Sequence, residues 1–439
     1  MEKTCRLCYD VFMALLKRFP IGMQDFERLR KDGKYYVDKT TLIYEMTHTD
    51  CYYFLSRPRR FGKSLLISTL QCYFEGKKEL FTGLAMERLE TEWKRYPVIR
   101  LDMSLVKYID DSTLDITLNK ILSEYEELYG VEADPQNHVW GVRLASIIDA
   151  AYKQTGKEVV VLVDEYDTPM LDTFGCTNFD EIRNKIRSLY SPLKALGGKL
   201  RFVFLTGITK FSQLSIFSEL NNLKVITMSD KYAPLCGITK EELLEQMAPE
   251  IQALADSNGM SYEEACAALK RQYDGYHFSK KSPDIYNPYS LINALADGEI
   301  QNYWFSTGTP TVLTKLIKKY DMNPQDFEAG FPATLGMFDT PAETATDPIP
   351  MLYQSGYLTI KDYDEGEYKL GFPNEEVKLG FLKVLMPCYA AEMVSQNDIF
   401  LLKFTRALKE SRLDDAMNLM RAFLSSIPYN AEKQDESVV

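Results

Sequence analysis

Short apolar runs recur along the first half of the chain, and helical stretches separate them. Five of these runs are predicted to be strands: Cys51–Leu55, Val98–Asp102, Val159–Val163, Phe202–Leu205 and Lys224–Met228. Most show no alternation of polar and apolar residues, which is typical of parallel strands that are buried on both faces. The stretches between them are long enough for right-handed crossovers. The pattern therefore predicts a doubly wound α/β domain over residues 20–232.

Residues 233–390 have a mostly helical pattern that ends in a hairpin. Thr239, followed three residues later by Glu242, forms a capping-box pattern at the start of a helix. Farther along, Tyr357–Tyr363 and Tyr368–Phe372 are predicted to be two strands joined by an acidic, glycine-containing turn. A helix followed by such a hairpin is typical of a winged helix. This region is therefore predicted to be a helical lid and a winged-helix-like module.

The two ends of the chain have weaker patterns. Residues 1–19 are predicted to be an N-terminal extension with a short amphipathic helix, and a last helix is predicted at about 398–424. Cys5 and Cys8 form a C-x-x-C pair, but a structural zinc site needs four ligands and no second pair follows. The three histidines are far apart in sequence and match no metal site. We interpret all these side chains as structural or surface residues.

The charge of the chain narrows the choice of partners. Its 439 residues include 51 Lys and Arg against 63 Asp and Glu, which gives a formal net charge of −12. Nucleic acid binds to clustered cations, so any such contact would need a local basic patch, and the acidic hairpin offers none. No apolar run of roughly 18 residues and no signal-peptide core is present, so we expect no membrane span and a cytoplasmic location.

One segment matches the Walker A pattern of a phosphate-binding loop. The segment Arg57–Ser64 follows a predicted strand and precedes a predicted helix, which is the context that this pattern requires. Gly62 allows a left-handed backbone, Lys63 reaches the terminal phosphates, and the Ser64 hydroxyl can bind Mg²⁺. The residues predicted to contact ATP are Arg59, Arg60, Phe61, Gly62, Lys63, Ser64 and Leu65. The alternative is a surface turn with a chance Gly-Lys-Ser.

The loop departs from the standard pattern at its first position. Arg57 stands where that pattern has glycine, which is tolerable if this residue does not need a positive φ. With Arg59 and Arg60 it adds positive charge near a triphosphate, and one of the three could stabilise charge in cis.

An acidic pair follows the third predicted strand, as in a Walker B motif. Asp164 is predicted to bind Mg²⁺, and Glu165 is predicted to orient the attacking water. Solvated acids at the end of an apolar strand are the alternative. Asp167 would either support the metal or cap the next helical turn, and we favour the cap. Thr206, which ends the next strand, is the candidate for sensing the γ-phosphate, or it belongs to an ordinary polar loop.

These motifs, taken together, resemble those of a bacterial AAA-ATPase-like family that is often fused to a C-terminal PD-(D/E)XK nuclease-like domain. The matching stretches include 20–26, 35–40, 57–65, 163–167, 205–210, 215–223, 273–278, 304–309 and 353–357. Arginine at the first loop position is typical of this family. The resemblance implies ATP binding with slow or regulated hydrolysis, and it implies that the Tyr35–Lys39 stretch lies near the nucleotide.

The resemblance also implies a nuclease-like domain, whose start we expect at residues 391–439. Such a domain needs an Asp and a later Glu-x-Lys to bind metal, and this segment contains no such triplet, so we expect it to be truncated and inactive as a nuclease. The sequence is consistent with three functions. The first is an ATPase that regulates a conformation or a protein partner through its C-terminal region. The second is a nucleotide-binding switch without turnover, and the third is the remnant of a nucleic-acid-processing ATPase–nuclease. The sequence does not indicate the oligomeric state.

Overall fold

The structure is a computed structural model of the chain. It describes residues 19–108, 110–132, 139–209, 223–306, 326–338, 347–389 and 410–426, together with 320, 340, 400, 403–404 and 406–408. The predicted N-terminal helix, the Cys5–Cys8 pair, His138 and Lys210 therefore lie outside the described residues. The described residues 19–306 and 326–378 belong to one compact unit, and those from 379 onward belong to a second. The domain boundaries inferred from sequence stay predictions.

A five-stranded sheet forms the centre of the first unit. Its strands are β1 (Tyr52–Ser56), β2 (Val98–Asp102), β3 (Val159–Asp164), β4 (Leu200–Gly207) and β5 (Lys224–Val225). Their order is β2-β3-β4-β1-β5, and every neighbouring pair is parallel. All residues of β1 and β3 are buried, so both faces of the sheet are covered. The sheet confirms the predicted α/β P-loop NTPase fold.

The edge strand β5 is shorter than the predicted Lys224–Met228. Only two of its residues pair with β1. The Thr227 hydroxyl then accepts a hydrogen bond from the Ser56 N–H at 3.0 Å, so a side chain replaces the backbone carbonyl as the acceptor there. β4, in contrast, extends beyond the predicted Phe202–Leu205 because it pairs with β1 on one side and β3 on the other.

Helices connect and cover the strands. Those between residues 19 and 209 are Phe26–Lys31, Thr40–Thr47, Lys63–Phe74, Ala85–Leu89, Asp111–Tyr129, Trp140–Thr155, Thr168–Thr173, Phe179–Tyr190 and Pro192–Ala195. Later helices are Lys240–Gln246, Ala248–Asn258, Tyr262–Tyr273, Pro288–Asp297, Tyr303–Ser306, Asp326–Ala329, Leu335–Phe338, Ile349–Gln354, Glu375–Tyr389 and Leu413–Ser426. We call Lys63–Phe74 the P-loop helix.

The helical region begins with the predicted capping box. The Thr239 hydroxyl accepts a hydrogen bond from the Glu242 N–H, and the Glu242 carboxylate accepts one from the Thr239 N–H. Ser261 and Glu264 repeat this arrangement on the helix Tyr262–Tyr273. The helices of this region pack around a shared apolar cluster that also contains Tyr35 from the N-terminal part of the chain.

The predicted hairpin belongs to a three-stranded antiparallel sheet with the order β8-β10-β9, formed by β8 (Phe331–Ala333), β9 (Thr359–Asp364) and β10 (Glu367–Gly371). Its turn is only Glu365-Gly366, with φ of 44° and 103°, as a tight two-residue hairpin turn requires. Sequence patterns missed β8, as well as the two-residue pair β6 (Ile238–Thr239) and β7 (Ile285–Tyr286). Such short strands carry too few residues to show a period.

The predicted helix at 398–424 is wrong as one continuous helix. The chain turns at 410–411, and the helix Leu413–Ser426 starts afterwards. Ser411 has a φ of 56°, and the N–H groups of Ser411 and Arg412 donate to the carbonyls of Leu408 and Ala407. These two hydrogen bonds form a Schellman motif. The sequence does not predict this motif because the residue in the left-handed conformation is serine rather than glycine.

A close helix contact at Gly141 makes a testable prediction. A Cβ at this position would lie 2.2 Å from the carbonyl oxygen of Ser188 on the helix Phe179–Tyr190. We expect Gly141→Ala to lower the free energy of unfolding by about 1–3 kcal/mol, measured by urea unfolding. Gly198→Ala, where an added Cβ meets nothing within 4 Å, is the control and should change stability by less than about 1 kcal/mol. Equal stability of both variants would contradict the contact.

Candidate functional site

The loop between β1 and the P-loop helix has the shape that phosphate binding requires. Gly62 immediately precedes the helix and has a left-handed φ of 89°. An added Cβ at Gly62 would meet nothing within 4 Å, so the backbone angle rather than crowding calls for glycine. Arg60 also has a positive φ of 68°. The backbone N–H groups at the start of the helix are therefore available to bind an anion.

Arg57 fastens this loop to the protein interior. Its side chain is 1% exposed, and its guanidinium donates to the carbonyls of Thr227 at 2.8 Å and Tyr232 at 3.4 Å. The same group lies 4.1 Å from the ring centre of Phe278. Burial lowers the pKa of Arg57 to about 10. The φ of Arg57 is not positive, so glycine is not needed at this position. The charge of Arg57 interacts with groups of the protein interior rather than with a phosphate.

The loop lysine is held inside the loop. Lys63 is buried, and its ammonium donates to the carbonyl oxygens of Arg57 and Pro58, both at 3.1 Å. The side chains of Arg59 and Arg60 are exposed, so these two remain candidates for contacting phosphate. The Arg60 guanidinium lies 4.9 Å from the ring centre of Tyr289.

Two other predicted loop contacts take on packing roles as well. The Phe61 ring is buried and packs edge-on against the ring of Tyr276, with ring centres 4.7 Å apart, so its side chain has a packing role. The Arg59 carbonyl accepts a hydrogen bond from the indole N–H of Trp304 at 3.3 Å. The helical region thus contacts the loop directly, which sequence patterns did not reveal.

Asp164, at the carboxyl end of β3, is completely buried. Its Oδ1 accepts a hydrogen bond from the Thr206 hydroxyl at 2.8 Å. Its Oδ2 accepts none from the described residues, and the Arg100 guanidinium lies 3.8 Å away. Burial raises the pKa of Asp164, and the hydroxyls of Ser64 and Thr206 partly oppose this effect.

The buried Asp164 carboxyl, whose Oδ2 accepts no hydrogen bond from the described residues, and the Ser64 hydroxyl beside it fit the protein ligands that Mg²⁺ takes from a P-loop site. Among the residues that the structure describes, no cluster of three or more His, Cys, Asp or Glu side chains is placed to hold a metal.

Glu165 stands in a strained conformation next to Asp164. Its φ of 49° is unusual for a side chain other than glycine, and such strain is often found at functional sites. Its N–H donates to the Thr206 hydroxyl at 3.3 Å, and its carboxylate accepts from the Thr168 hydroxyl at 3.2 Å. The side chain is half-buried, so water can reach it.

Thr206 is fully buried and connects the two acids. Its single hydroxyl donates to Asp164 and accepts from the N–H of Glu165. Its predicted role as a γ-phosphate sensor stays a prediction. The described contacts show directly how the hydroxyl holds the two carboxylates.

The favoured capping role of Asp167 is wrong. Asp167 stands at the N-cap position of the helix Thr168–Thr173, but its side chain makes no capping bond. Instead Oδ2 accepts hydrogen bonds from the N–H groups of Ile208 and Thr209 at 2.9 and 2.7 Å, and from the Thr209 hydroxyl at 2.9 Å. The carboxylate therefore joins the segments that follow β3 and β4.

A small cavity of about 90 Å³ adjoins the P-loop. It is lined by residues of the Tyr35–Lys39 stretch, by Gly62 and Leu65, and by the segment Leu235–Ile238. The sequence does not predict that Leu235–Ile238 lines this cavity, because the segment contains no recognisable motif. Gly237 alone gives a signal: its φ is 92°, and a Cβ there would lie 2.3 Å from Ile285 Cγ2.

The parallel sheet, the loop after β1 and the acids after β3 define a P-loop NTPase fold. Residues 20–217 match the model of a family described as predicted AAA-ATPase. A relative described as an uncharacterized protein in the vnfD 5′ region of Azotobacter chroococcum mcd 1 is 33% identical over 426 residues, covering 94% of this chain and 78% of the relative. The chain belongs to this AAA-ATPase-like family. The matches do not show a fusion to a nuclease.

One solved structure is also similar in part. The Aeropyrum pernix ORC2 protein (ADPNP–ADP complexes) aligns with a TM-score of 0.27 and 14% identity, covering 82% of this chain and 93% of that one. So low a score carries no argument about function. Among the described residues, no helix is long and apolar enough to span a bilayer. The cytoplasmic location stays a prediction.

The buried carboxyl of Asp164 makes a pH-dependent stability prediction. Because its pKa is raised in the fold, its contribution to stability is present at low pH and is lost as pH rises through the raised value. Without Mg²⁺ and nucleotide, Asp164→Asn should therefore increase the free energy of unfolding at pH about 7, and the gain should shrink toward pH about 4. Urea unfolding at several pH values measures this difference.

The matched control is Asp110→Asn. Hydrogen bonds from Thr113 and Ser112 lower the pKa of the exposed Asp110 carboxyl, so its contribution has the opposite sign. This variant should gain no stability at neutral pH. If Asp164→Asn were less stable than the native chain at pH about 7, the ionised carboxylate would not be the unfavourable form that its burial implies.

Proposed function

We propose that the chain binds ATP with Mg²⁺ and hydrolyses it. One observation carries the proposal: the fully buried carboxyl of Asp164 and the Ser64 hydroxyl at the start of the P-loop helix lie together, and Oδ2 of Asp164 accepts no hydrogen bond from the described residues. The Arg100 guanidinium lies 3.8 Å from Oδ2 but donates no hydrogen bond to it, so it compensates for the buried charge only in part. Mg²⁺ that also binds phosphate oxygens is the compensating ion that this fold accommodates.

Each site residue has a role in this proposal. The backbone N–H groups of Arg59–Leu65 bind the phosphates, and Lys63 leaves the carbonyls of Arg57 and Pro58 to contact the β and γ phosphates. Ser64 and Asp164 hold Mg²⁺, which supplies positive charge against the charge that develops on the transferred phosphoryl group. Glu165 orients the attacking water. Thr206 acts by positioning both acids.

The cavity beside the P-loop is the proposed place for the base. It is largely apolar, it adjoins Gly62 and Leu65, and the Tyr35–Lys39 stretch forms one wall. The Lys39 ammonium donates a hydrogen bond to the Glu242 carboxylate at 2.6 Å, so its charge is already compensated and we assign it no contact with phosphate. The apolar lining suits a planar aromatic base, although the volume of about 90 Å³ is below the range usual for ligand sites.

A switch without turnover is the second candidate. One oxygen of the Glu165 carboxylate already accepts the Thr168 hydroxyl at 3.2 Å, which reduces its freedom to orient water. A protein partner at the C-terminal region, or descent from a nucleic-acid-processing ATPase–nuclease, stays a prediction.

Two loop and acid variants test hydrolysis. Lys63→Ala should weaken ATP binding, measured by calorimetry, because it removes the cation that contacts the terminal phosphates. Glu165→Gln should bind ATP with Mg²⁺ normally and lower the rate of phosphate release by about 10²–10⁴-fold, because the amide cannot take a proton from water.

The results separate the two candidates. Binding by the native chain with no phosphate release would favour the switch. No binding of ATP with Mg²⁺ by the native chain would refute the proposal as a whole. Glu158→Gln, at an acid just before β3, is the matched control and should leave both binding and turnover unchanged.

A larger side chain tests the base cavity. Val37 lines it and is half-buried, so Val37→Trp should fill it and weaken ATP and ADP alike by about tenfold. Binding is measured by calorimetry. Val142→Trp, on the exposed face of the helix Trp140–Thr155, is the control. If Val37→Trp retained native affinity for both nucleotides, the base would have to lie elsewhere.

A further inference from the structure

A second, larger cavity lies between the helix Tyr262–Tyr273 and the three-stranded sheet, and it shares no residue with the nucleotide site. Its volume is about 860 Å³. Its walls come from the C-terminal end of that helix, the turn after it, β9, β10 and residues 371–378. A cavity of this size is within the range of ligand sites.

Five cationic side chains line this cavity: Lys270, Arg271, Lys361, Lys369 and Lys378. The first four form no ion pair, within 4.0 Å, with an acidic side chain that the structure describes. Lys361 is held at the wall because its ammonium donates to the carbonyl of Pro373 at 2.8 Å. Like charges that share a cavity repel each other, and an anionic ligand with several charges relieves this repulsion.

The acids at the cavity are Asp274, Asp284 and Glu375, so they cancel only part of the charge of the five cations. Asp284 lies 3.3 Å from the ring of His277, and Glu375 stands in the first turn of its own helix, where a negative charge is favourable. The local surplus of positive charge is therefore found in a chain whose net charge is −12.

The wall of the cavity also contains a buried acceptor without a donor. Asp274 is 3% exposed, and its Oδ1 has no hydrogen-bond partner among the described residues. Burial raises the pKa of this carboxyl to about 6. A buried polar atom of this kind calls for a ligand that donates a hydrogen bond. Phosphate alone would satisfy the cations and leave this acceptor unpaired.

An aromatic pair completes the wall. Phe372 is half-buried and stacks on Phe327, with ring centres 5.4 Å apart and planes inclined by 17°. Cations that track a phosphate backbone, combined with an aromatic face for a base, are the usual combination in sites for single strands. A duplex keeps the edges of its bases within the grooves, where a buried acceptor does not reach them.

We propose that this cavity binds a short single-stranded segment of nucleic acid. Lys270, Arg271, Lys361 and Lys369 contact its phosphodiesters, Asp274 accepts a hydrogen bond from the amino group of a base, and Phe372 adds an apolar contact to that base. The site needs neither Lys63 nor Mg²⁺, so it is independent of ATP binding.

Fluorescence anisotropy of a labelled single-stranded DNA of about 12 nucleotides tests the site on the full chain without nucleotide. The variant is Lys270→Glu/Arg271→Glu, at two exposed positions. We expect it to weaken binding by about tenfold or more, and to reduce the slope of log affinity against log salt by about 1.4, since two phosphate contacts are lost.

The control is Lys120→Glu/Lys153→Glu, which makes the same change of charge at exposed positions of two other helices. It should bind like the native chain. Equal losses in the two double variants would overturn the proposal, because binding would then follow net charge rather than this cavity. Lys63→Ala should keep its affinity for the strand, so failure at the nucleotide site and failure at this one are distinguishable.

Two further probes test what is recognised. An abasic strand of the same length keeps the phosphates and lacks the bases, and we expect it to bind about tenfold more weakly. Equal affinity for the abasic strand would overturn the proposal, since it would show an adventitious anion site only. Displacement of the strand by inorganic tripolyphosphate at equal charge, or tighter binding of a duplex, would also overturn it.

Discussion

Burial of the Asp164 carboxyl at the end of β3 is the constraint on which the site depends. A carboxylate with no exposure needs partners, and the hydroxyl of Thr206 donates a hydrogen bond to it at 2.8 Å. That hydrogen bond joins β3 to β4. The Asp167 carboxylate makes a second connection, between the segments that follow these two strands, because it accepts a hydrogen bond from the Thr209 N–H. The acids are thus held by the sheet itself, which places Glu165 in its left-handed conformation. A site built on paired strands keeps its geometry better than one built on free loops.

The local parts of this arrangement were predictable from the sequence. A buried parallel strand, a Gly-Lys-Ser at the start of a helix and two acids after another strand each follow from short-range chemistry. The partners of Arg57 were not predictable, because Thr227 and Tyr232 lie about 170 residues away in the chain. From the sequence alone, charge at that position therefore predicts a possible contact to phosphate, whereas in the structure it anchors the loop.

The same limit explains why the sequence predicts a cap at Asp167 and does not reveal the cavity beside the P-loop. An acid just before a helix is typical of a cap, and only the pairing of β3 with β4 brings the Ile208 and Thr209 amides within its reach. The cavity combines residues near 37, 62 and 237, and no periodic pattern links them. The turn at Asp274 to Tyr276 shows a further long-range arrangement, because it lines the basic cavity at one end and packs on Phe61 of the P-loop at the other.

The contact between Trp304 and the P-loop gives the molecule a built-in optical label. The indole N–H of Trp304 donates a hydrogen bond to the carbonyl of Arg59. The Trp304 ring packs against the ring of Tyr357, with ring centres 5.3 Å apart. Indole emission responds to the loss of such a hydrogen bond and to the entry of water. With only three tryptophans in the chain, replacing Trp93 and Trp140 by phenylalanine would leave one emitter attached to the loop. A change in this contact would then alter the emission of that single tryptophan without any attached dye.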